Sequence, residues 1–296
     1  MANITIVGAG NVGTTLGLVL SKSGNVVTEI YSRTLLSAER ARAAIGSGKV
    51  VADIADLKPA EILVVSTSDS FIADVAEQLS ARRVAAAGTI AFHCSGATPS
   101  SVLHKLRLKG TLIASVHPVK TFTMPQQDAR SFAGTWCGIE GDTGAVEVLH
   151  DLLAGAGAET FDVSSDSKAL YHAAMVFMCN ALFPLIEAGF QCYEAAGVPR
   201  HIARQIAGPI MRATVDNALR SGPAMAMTGP IARGDEGVVK MQLAALALFK
   251  PEYRKLYELI GCLATDLATE KGVATTEKID LLRNLLQYKD HITPGL

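Results

Sequence analysis

The stretch Ile4-Thr5-Ile6-Val7-Gly8-Ala9-Gly10-Asn11-Val12-Gly13 decides how the rest of the chain is read. Its apolar opening predicts a strand, and its glycines fall at the GxGxxG spacing ahead of a helical run through Leu16, Leu18 and Leu20. Gly8 permits a tight turn, Gly10 lets a pyrophosphate approach the backbone, and Gly13 lets helix and strand lie close together. The phosphates then meet the free N–H groups at the positive end of the helix, where Asn11 and Val12 begin it. Alone the motif is weak, but between a strand and a helix it predicts a dinucleotide site. The plain alternative is a glycine-rich strand-to-helix turn.

Roughly 20 residues further on, the tip of the second strand selects the nucleotide. An NAD site presents a carboxylate there to the ribose 2′-hydroxyl. This chain reads Ile30-Tyr31-Ser32-Arg33-Thr34, with no acid at the tip. Arg33 can grip a 2′-phosphate, and Ser32 and Thr34 can donate hydrogen bonds to it, so NADP is expected. Glu29 lies inside the strand rather than at its end. The alternative for Arg33 is a solvated loop residue.

Outward from this turn, apolar runs alternate with helical patterns as far as about Asp162, the signature of βαβ units and a parallel sheet. Strands are expected at 4–7, 26–31, 62–65, 89–93, 111–115 and 136–139, with helices including 12–22 and 70–79. From Ser164 onward the pattern is almost wholly helical, and Ser164, Ser165 and Asp166 are good N-cap residues for a segment starting near Lys168. The expected fold is α/β, a doubly wound, mostly parallel sheet, followed by an all-helical domain. Residues 1–162 would bind the nucleotide, and 163–296 would form a helical substrate or dimerisation domain.

In such sheets ligands lie outside the carboxyl ends of the strands. Thr67, Ser68 and Asp69 follow one strand and Ser95 another, so these are candidates for the nicotinamide side, although the first three also suit a helix cap. His93 lies within a strand and reads as structural. His117, in Ser115-Val116-His117-Pro118, is expected just past a strand end, with Pro118 turning the backbone away; it can exchange a proton with substrate or simply bond a loop carbonyl. Lys120 can meet an anion or solvent. Lys168 and His172, four residues apart, share a helix face, with Asn180 on its shoulder. Lys168 or His172 can polarise a carbonyl or imine, and Asn180 can orient it. Otherwise Lys168 snorkels to solvent and the other two bond backbone groups. The loop Thr228–Asp235 is an ordered turn or a lid, with Arg233 and Asp235 able to pair.

Composition bounds the rest. The 296 residues are 49% hydrophobic and 19% charged, with net charge −1, which excludes a disordered chain and offers no basic surface for nucleic acid. Five scattered cysteines with no CxxC suggest neither a disulfide framework nor a metal site. Mean hydropathy is +0.28, and the most apolar stretch, 173–190, is broken by Asn180, Pro184 and Glu187. A helix buried in a domain or a subunit interface is expected there, not a membrane span. With no signal-peptide pattern at the N-terminus, the cytoplasm is the expected compartment.

Taken together, these motifs resemble the superfamily of β-hydroxyacid dehydrogenases, 6-phosphogluconate dehydrogenase and pyrroline-5-carboxylate reductase. The nearest resemblance is to a family pairing a Rossmann-like NADP-binding domain with a helical domain of unknown function. It is carried by 117–122 (HPVKTF), 171–174 (YHAA) and 228–235 (TGPIARGD). The resemblance implies a Rossmann domain, a 6-phosphogluconate-dehydrogenase-like helical domain, a homodimer, and hydride transfer between NADP and a small carbonyl, imine or hydroxy acid in the interdomain cleft. Lys168 matches the lysine of β-hydroxyacid dehydrogenases, but His172 stands where they carry asparagine. Ser115–Pro118 is similar to the Gly-Ser-His-Pro of prephenate dehydrogenases, so an arogenate or prephenate enzyme is an alternative. A non-catalytic NADP sensor is another.

Overall fold

A computed structural model describes residues 1–82 and 84–286, which divide into two compact units, Met1–Cys179 and Asn180–Leu296. In the first unit the strands are β1 (Asn3–Val7), β2 (Val26–Tyr31), β3 (Lys49–Val51), β4 (Ile62–Val65), β5 (Ile90–His93), β6 (Leu112–Pro118), β7 (Trp136–Gly141) and β8 (Glu159–Asp162). They form one sheet in the order β3-β2-β1-β4-β5-β6-β7-β8, parallel throughout except for the β6–β7 pair. The helices are α1 (Asn11–Lys22), α2 (Leu35–Ile45), α3 (Ile72–Ala81), α4 (His104–Arg107), α5 (Pro125–Arg130), α6 (Thr143–Gly155) and α7 (Lys168–Met175).

Every residue of β4 is buried, as a strand covered on both faces requires. Two apolar clusters hold the layers. One joins Ile4, Ile6, Leu16, Leu20 and Ile30, and the other joins Val7, Leu63, Val65, Ile72 and Leu79. Strand order reverses between β1 and β4, which places a crevice at their carboxyl tips.

The α/β sheet is as expected, with differences that have local causes. β3 is a three-residue edge strand, and β8 pairs only with β7, so neither carries a long apolar run. β6 extends through Pro118 because it pairs with the antiparallel β7, His117 opposite Gly138 and Pro118 opposite Cys137. His117 therefore lies inside a strand, and Pro118 does not turn the chain away as its type suggested.

The second unit is helical: α8 (Leu182–Ala195), α9 (Arg200–Ser221), α10 (Pro223–Ala226), α11 (Pro230–Arg233), α12 (Glu236–Phe249), α13 (Pro251–Lys271) and α14 (Thr276–Leu285). Its core is small, built on Val239, Leu243, Cys262, Leu282 and Leu286. A π-helical turn, Val176–Asn180, precedes α8. Pro184 explains a disturbance there, since it has no N–H for the Asn180 carbonyl and its ring crowds that carbonyl. Because a π turn changes the helical phase, the spacing that put Asn180 on the shoulder of the Lys168–His172 face does not carry across it. Helical segment Ser165–Ala195 is long and apolar enough to cross a membrane, and none of its most apolar window is buried. The expectation of a helix buried within a domain is thus corrected. A spanning helix is nonetheless a poor reading, because the segment begins with buried Lys168 and its Glu187 pairs with Arg200 at 2.8 Å.

Candidate functional site

The chain leaves β1 at Gly8 with φ +105°, a conformation that disfavours any side chain. Gly8 N–H donates to Tyr31 O, Ser66 N–H donates to Val7 O, and Ser66 Oγ donates to Gly8 O, so the tips of β1, β2 and β4 are tied together. A Cβ on Gly13 would lie 2.2 Å from both Gly8 O and Ser66 Oγ, whereas a Cβ on Gly10 would meet nothing within 4 Å. The outer glycines close the turn, and the middle one faces open space.

That space is a cleft of about 500 Å³. Of the candidate nucleotide residues, Gly8, Gly10, Ser32, Arg33, Thr34, Thr67 and Ser68 line it. Asn11, Val12, Gly13, Asp69 and Ser95 do not. Asn11 Nδ2 donates to the carbonyls of Phe122 and Thr123, Val12 joins the core, and Ser95 Oγ donates to Asp69 Oδ2 at 2.7 Å. Thr34 also caps α2 through Ser37 N–H.

The cleft fits a dinucleotide on three observations. The first backbone N–H of α1 bonded back into the helix is that of Thr14, to Gly10 O, which leaves the N–H groups of the first turn for a ligand. Thr67 Oγ1 is buried without a hydrogen-bond partner among the described residues, although its residue lines the cleft. Arg33 is exposed at the rim with its guanidinium 5.7 Å from the Phe71 ring centroid, and it has no carboxylate partner among the described residues. Glu29 is turned elsewhere: it is buried, and its Oε2 accepts from Lys58 N–H.

A second cluster gathers at the carboxyl ends of β5 and β6, beside the antiparallel β7. Lys168 is only 2% exposed, which corrects the snorkelling alternative. Its Nζ donates to Ser95 O at 3.0 Å and to Ser115 Oγ, with Glu140 Oε1 at 3.8 Å. Glu140 in turn accepts from Ser100 N–H, Ser100 Oγ and Ser165 Oγ. Burial pulls the Lys168 ammonium below its ordinary pKa, opposed by Glu140 and Asp69. This lysine points into the protein and ties the segment after β5 to β6 and β7.

Beside it, His117 Nδ1 lies 2.8 Å from Tyr171 Oη, and the His172 ring stands edge-on at 5.8 Å. Gly96 makes room for both histidines, since a Cβ there would lie 2.6 Å from His172 Cδ2 and 2.8 Å from His117 Nε2. Burial, then the neighbouring His172 and Lys168, lowers His117 to a pKa of about 4, so the ring is neutral at pH 7. His93 is structural: Ser95 N–H donates to its Nδ1, and Pro99 O lies 3.3 Å from Nε2. Lys120 donates to Ser131, Arg233 is exposed, and Asp235 caps α12 through Val238 N–H instead of pairing with Arg233. Asn180 is exposed, belongs to the second unit, and its side chain has no hydrogen-bond partner among the described residues.

A pH dependence of stability follows from the two depressed histidines. Burial also lowers His93 to about 4. Between pH 6.5 and 4 the unfolded chain binds protons that the folded chain refuses, so stability is fully present above pH 6.5 and falls as pH drops through that window. His93 alone contributes roughly 3 kcal/mol to the decline. Denaturant midpoints measured from pH 7 to 4 check this, and a flat profile contradicts it.

Ser66, Phe71, Tyr171 and Glu140 were not among the expected site residues. Ser66 adjoins Thr67 and had a visible signal in its strand-tip position. The other three come into place only through tertiary packing.

Among the described residues no group of three His, Cys, Asp or Glu side chains is placed to hold a metal. Residues 2–118 match the family of Rossmann-like domains, and residues 135–265 match a domain of unknown function, DUF2520. No curated protein matches the chain. Among solved structures, a Bacteroides fragilis protein provisionally named an NADP oxidoreductase is 25% identical. That match covers 88% of this chain and 96% of the other, with a TM-score of 0.69. A Thermotoga maritima protein is 23% identical over 90% of this chain and 99% of its own, with a TM-score of 0.70. An imine reductase of Myxococcus stipitatus, solved in complex with NADP+, is 18% identical over 90% and 93%, with a TM-score of 0.59.

Proposed function

For a chain that joins a Rossmann-like domain to a DUF2520 domain, we propose an NADP-dependent oxidoreductase acting on a small carbonyl, imine or hydroxy compound. The carrying observation is that one set of strand tips bears both an open glycine cradle at Gly10 and a neutral imidazole at His117. NADP supplies or accepts the hydride. Thr67 Oγ1 and the N–H groups of the first α1 turn bind its phosphates, and Arg33, Ser32 and Thr34 take the 2′-phosphate. The names of the Bacteroides fragilis protein and the Myxococcus stipitatus complex agree with this cofactor.

His117 and His172 are the groups that polarise the substrate and handle its proton. Lys168 acts through others, because its ammonium is spent on Ser95 O and Ser115 Oγ, and by this it fixes the Ser95–Gly96 loop beside His117. A substrate with two carboxylates is disfavoured, since Lys168 is buried and Lys120 is bonded to Ser131. In the helical unit Phe183, Ile206 and Ile210 are exposed apolar side chains, which supports the reading of a homodimer.

Arg33→Ala tests the nucleotide assignment. Loss of a charge-assisted contact to the 2′-phosphate raises the Kd for NADPH by about tenfold or more and leaves that for NADH unchanged. Calorimetry of both nucleotides reads the difference. Equal affinities before the substitution, or an unaltered NADPH affinity after it, overturns the assignment.

A further inference from the structure

We propose that Tyr171 is a positioning residue that holds His117 in the tautomer bearing its proton on Nε2 and feeds a proton to substrate through that ring. The inference deepens the reading above and rests on it for the chemistry, although the tautomer stands independently of any cofactor.

Tyr171 Oη is 2.8 Å from His117 Nδ1, and the rings meet edge to face, with centroids 5.5 Å apart at 86°. Either atom can donate in principle. A phenol is the stronger acid and a neutral imidazole nitrogen the stronger base, so Tyr171 O–H donates to Nδ1. The proton of the neutral ring then sits on Nε2, which has no hydrogen-bond partner among the described residues and lies by Gly96 and His172. A donor is thereby aimed into the space beside the strand tips.

Independent features hold this arrangement. Gly138 stands opposite His117 in the β6–β7 register, and a Cβ there would lie 3.0 Å from Tyr171 Oη. Phe161 on β8 packs against the phenol ring, centroid to centroid at 6.0 Å. The phenol pKa is raised to about 12 by burial, so Tyr171 stays protonated at any ordinary pH and is always able to donate.

The step balances in the reducing direction. Bound NADPH would supply a hydride to the substrate carbon, and the heteroatom receiving the C=O or C=N π pair would then need a proton. That atom takes the Nε2 proton as Nδ1 takes the Tyr171 proton and the phenol oxygen takes one from solvent, so that no buried phenolate is formed. The ring begins and ends neutral, with its proton moved to the other nitrogen until the relay resets. A pKa of about 4 disfavours the imidazolium, which suits a concerted pass rather than a charged intermediate.

The test is 15N NMR of the full-length, histidine-labelled protein without nucleotide, between pH 6 and 8. Expected is a single Nε2–H tautomer for His117. In Tyr171→Phe, which keeps the ring and its packing, the same resonances should move to a mixture of tautomers. Gly138→Ala, which crowds the phenol oxygen while keeping the tyrosine, should do likewise. A wild-type ring protonated on Nδ1, or a tautomer that Tyr171→Phe leaves unchanged, overturns the proposal whether or not NADPH binds. Once a substrate is in hand, Tyr171→Phe should lower kcat with KM unchanged. Failure of nucleotide binding alone would sink the proposed function and leave the tautomer result standing.

Discussion

Gly10→Val is expected to cost at least about a hundredfold in NADPH affinity, close to 3 kcal/mol, while leaving the stability of the fold nearly untouched. The two halves of that expectation have separate grounds. Gly10 has φ −79° and ψ −169°, extended backbone that any residue adopts, and a side chain there would meet no protein atom within 4 Å. The fold therefore makes little demand for glycine at this position. The space the valine enters is the space a pyrophosphate needs against the α1 N-terminus, so its methyl groups displace the ligand. Gly13→Ala makes the contrast, because its new methyl lands 2.2 Å from Gly8 O and Ser66 Oγ and damages the turn itself. Thermal denaturation and calorimetry on the same Gly10→Val sample check the pair. Unchanged affinity removes the cradle assignment, and a large loss of stability means that Gly10 has a structural role.

Lys168→Ala carries the largest expected loss of stability, about 3–5 kcal/mol, because it removes one partner of a buried ion pair. Glu140 would remain buried with its charge, and the Ser95 carbonyl and Ser115 hydroxyl would each lose a donor. Replacing both charges, as Lys168→Met with Glu140→Gln, should recover a substantial part of the loss, since an uncompensated charge then no longer lies in the interior. A denaturant-unfolding cycle over the wild type, Lys168→Met, Glu140→Gln and the double variant measures the coupling. A single substitution that costs less than about 1 kcal/mol would place the ammonium in solvent, against the geometry, because exposed pairs have that value.

The glycine turn was legible because its reasons are local: a strand, a tight bend and a helix start are written in consecutive residues, and 4–13 needs no distant partner to be read. The switch to helices after Ser164 was legible for the same reason. Lys168 was not, since whether a lysine at a helix start snorkels or turns inward depends on Ser95, Ser115 and Glu140, which come from three other segments. Tyr171 was hidden likewise, because its value lies in a distance to His117, 54 residues earlier. Asp69 and Ser95 were read as facing the nucleotide, but each satisfies the other. Asn180 was placed by assuming an unbroken α-helical period, which the π turn at 176–180 interrupts.

The central claim is that the Gly8–Gly13 turn holds the diphosphate of NADP so that the nicotinamide reaches His117. A crystal structure grown with NADP+ tests it most directly. The account predicts phosphate oxygens within hydrogen-bond distance of backbone N–H groups at the start of α1, Arg33 on the 2′-phosphate, and the nicotinamide ring beside His117 and Gly96. Density for the nucleotide anywhere else on the chain, or a nicotinamide turned away from His117, contradicts it.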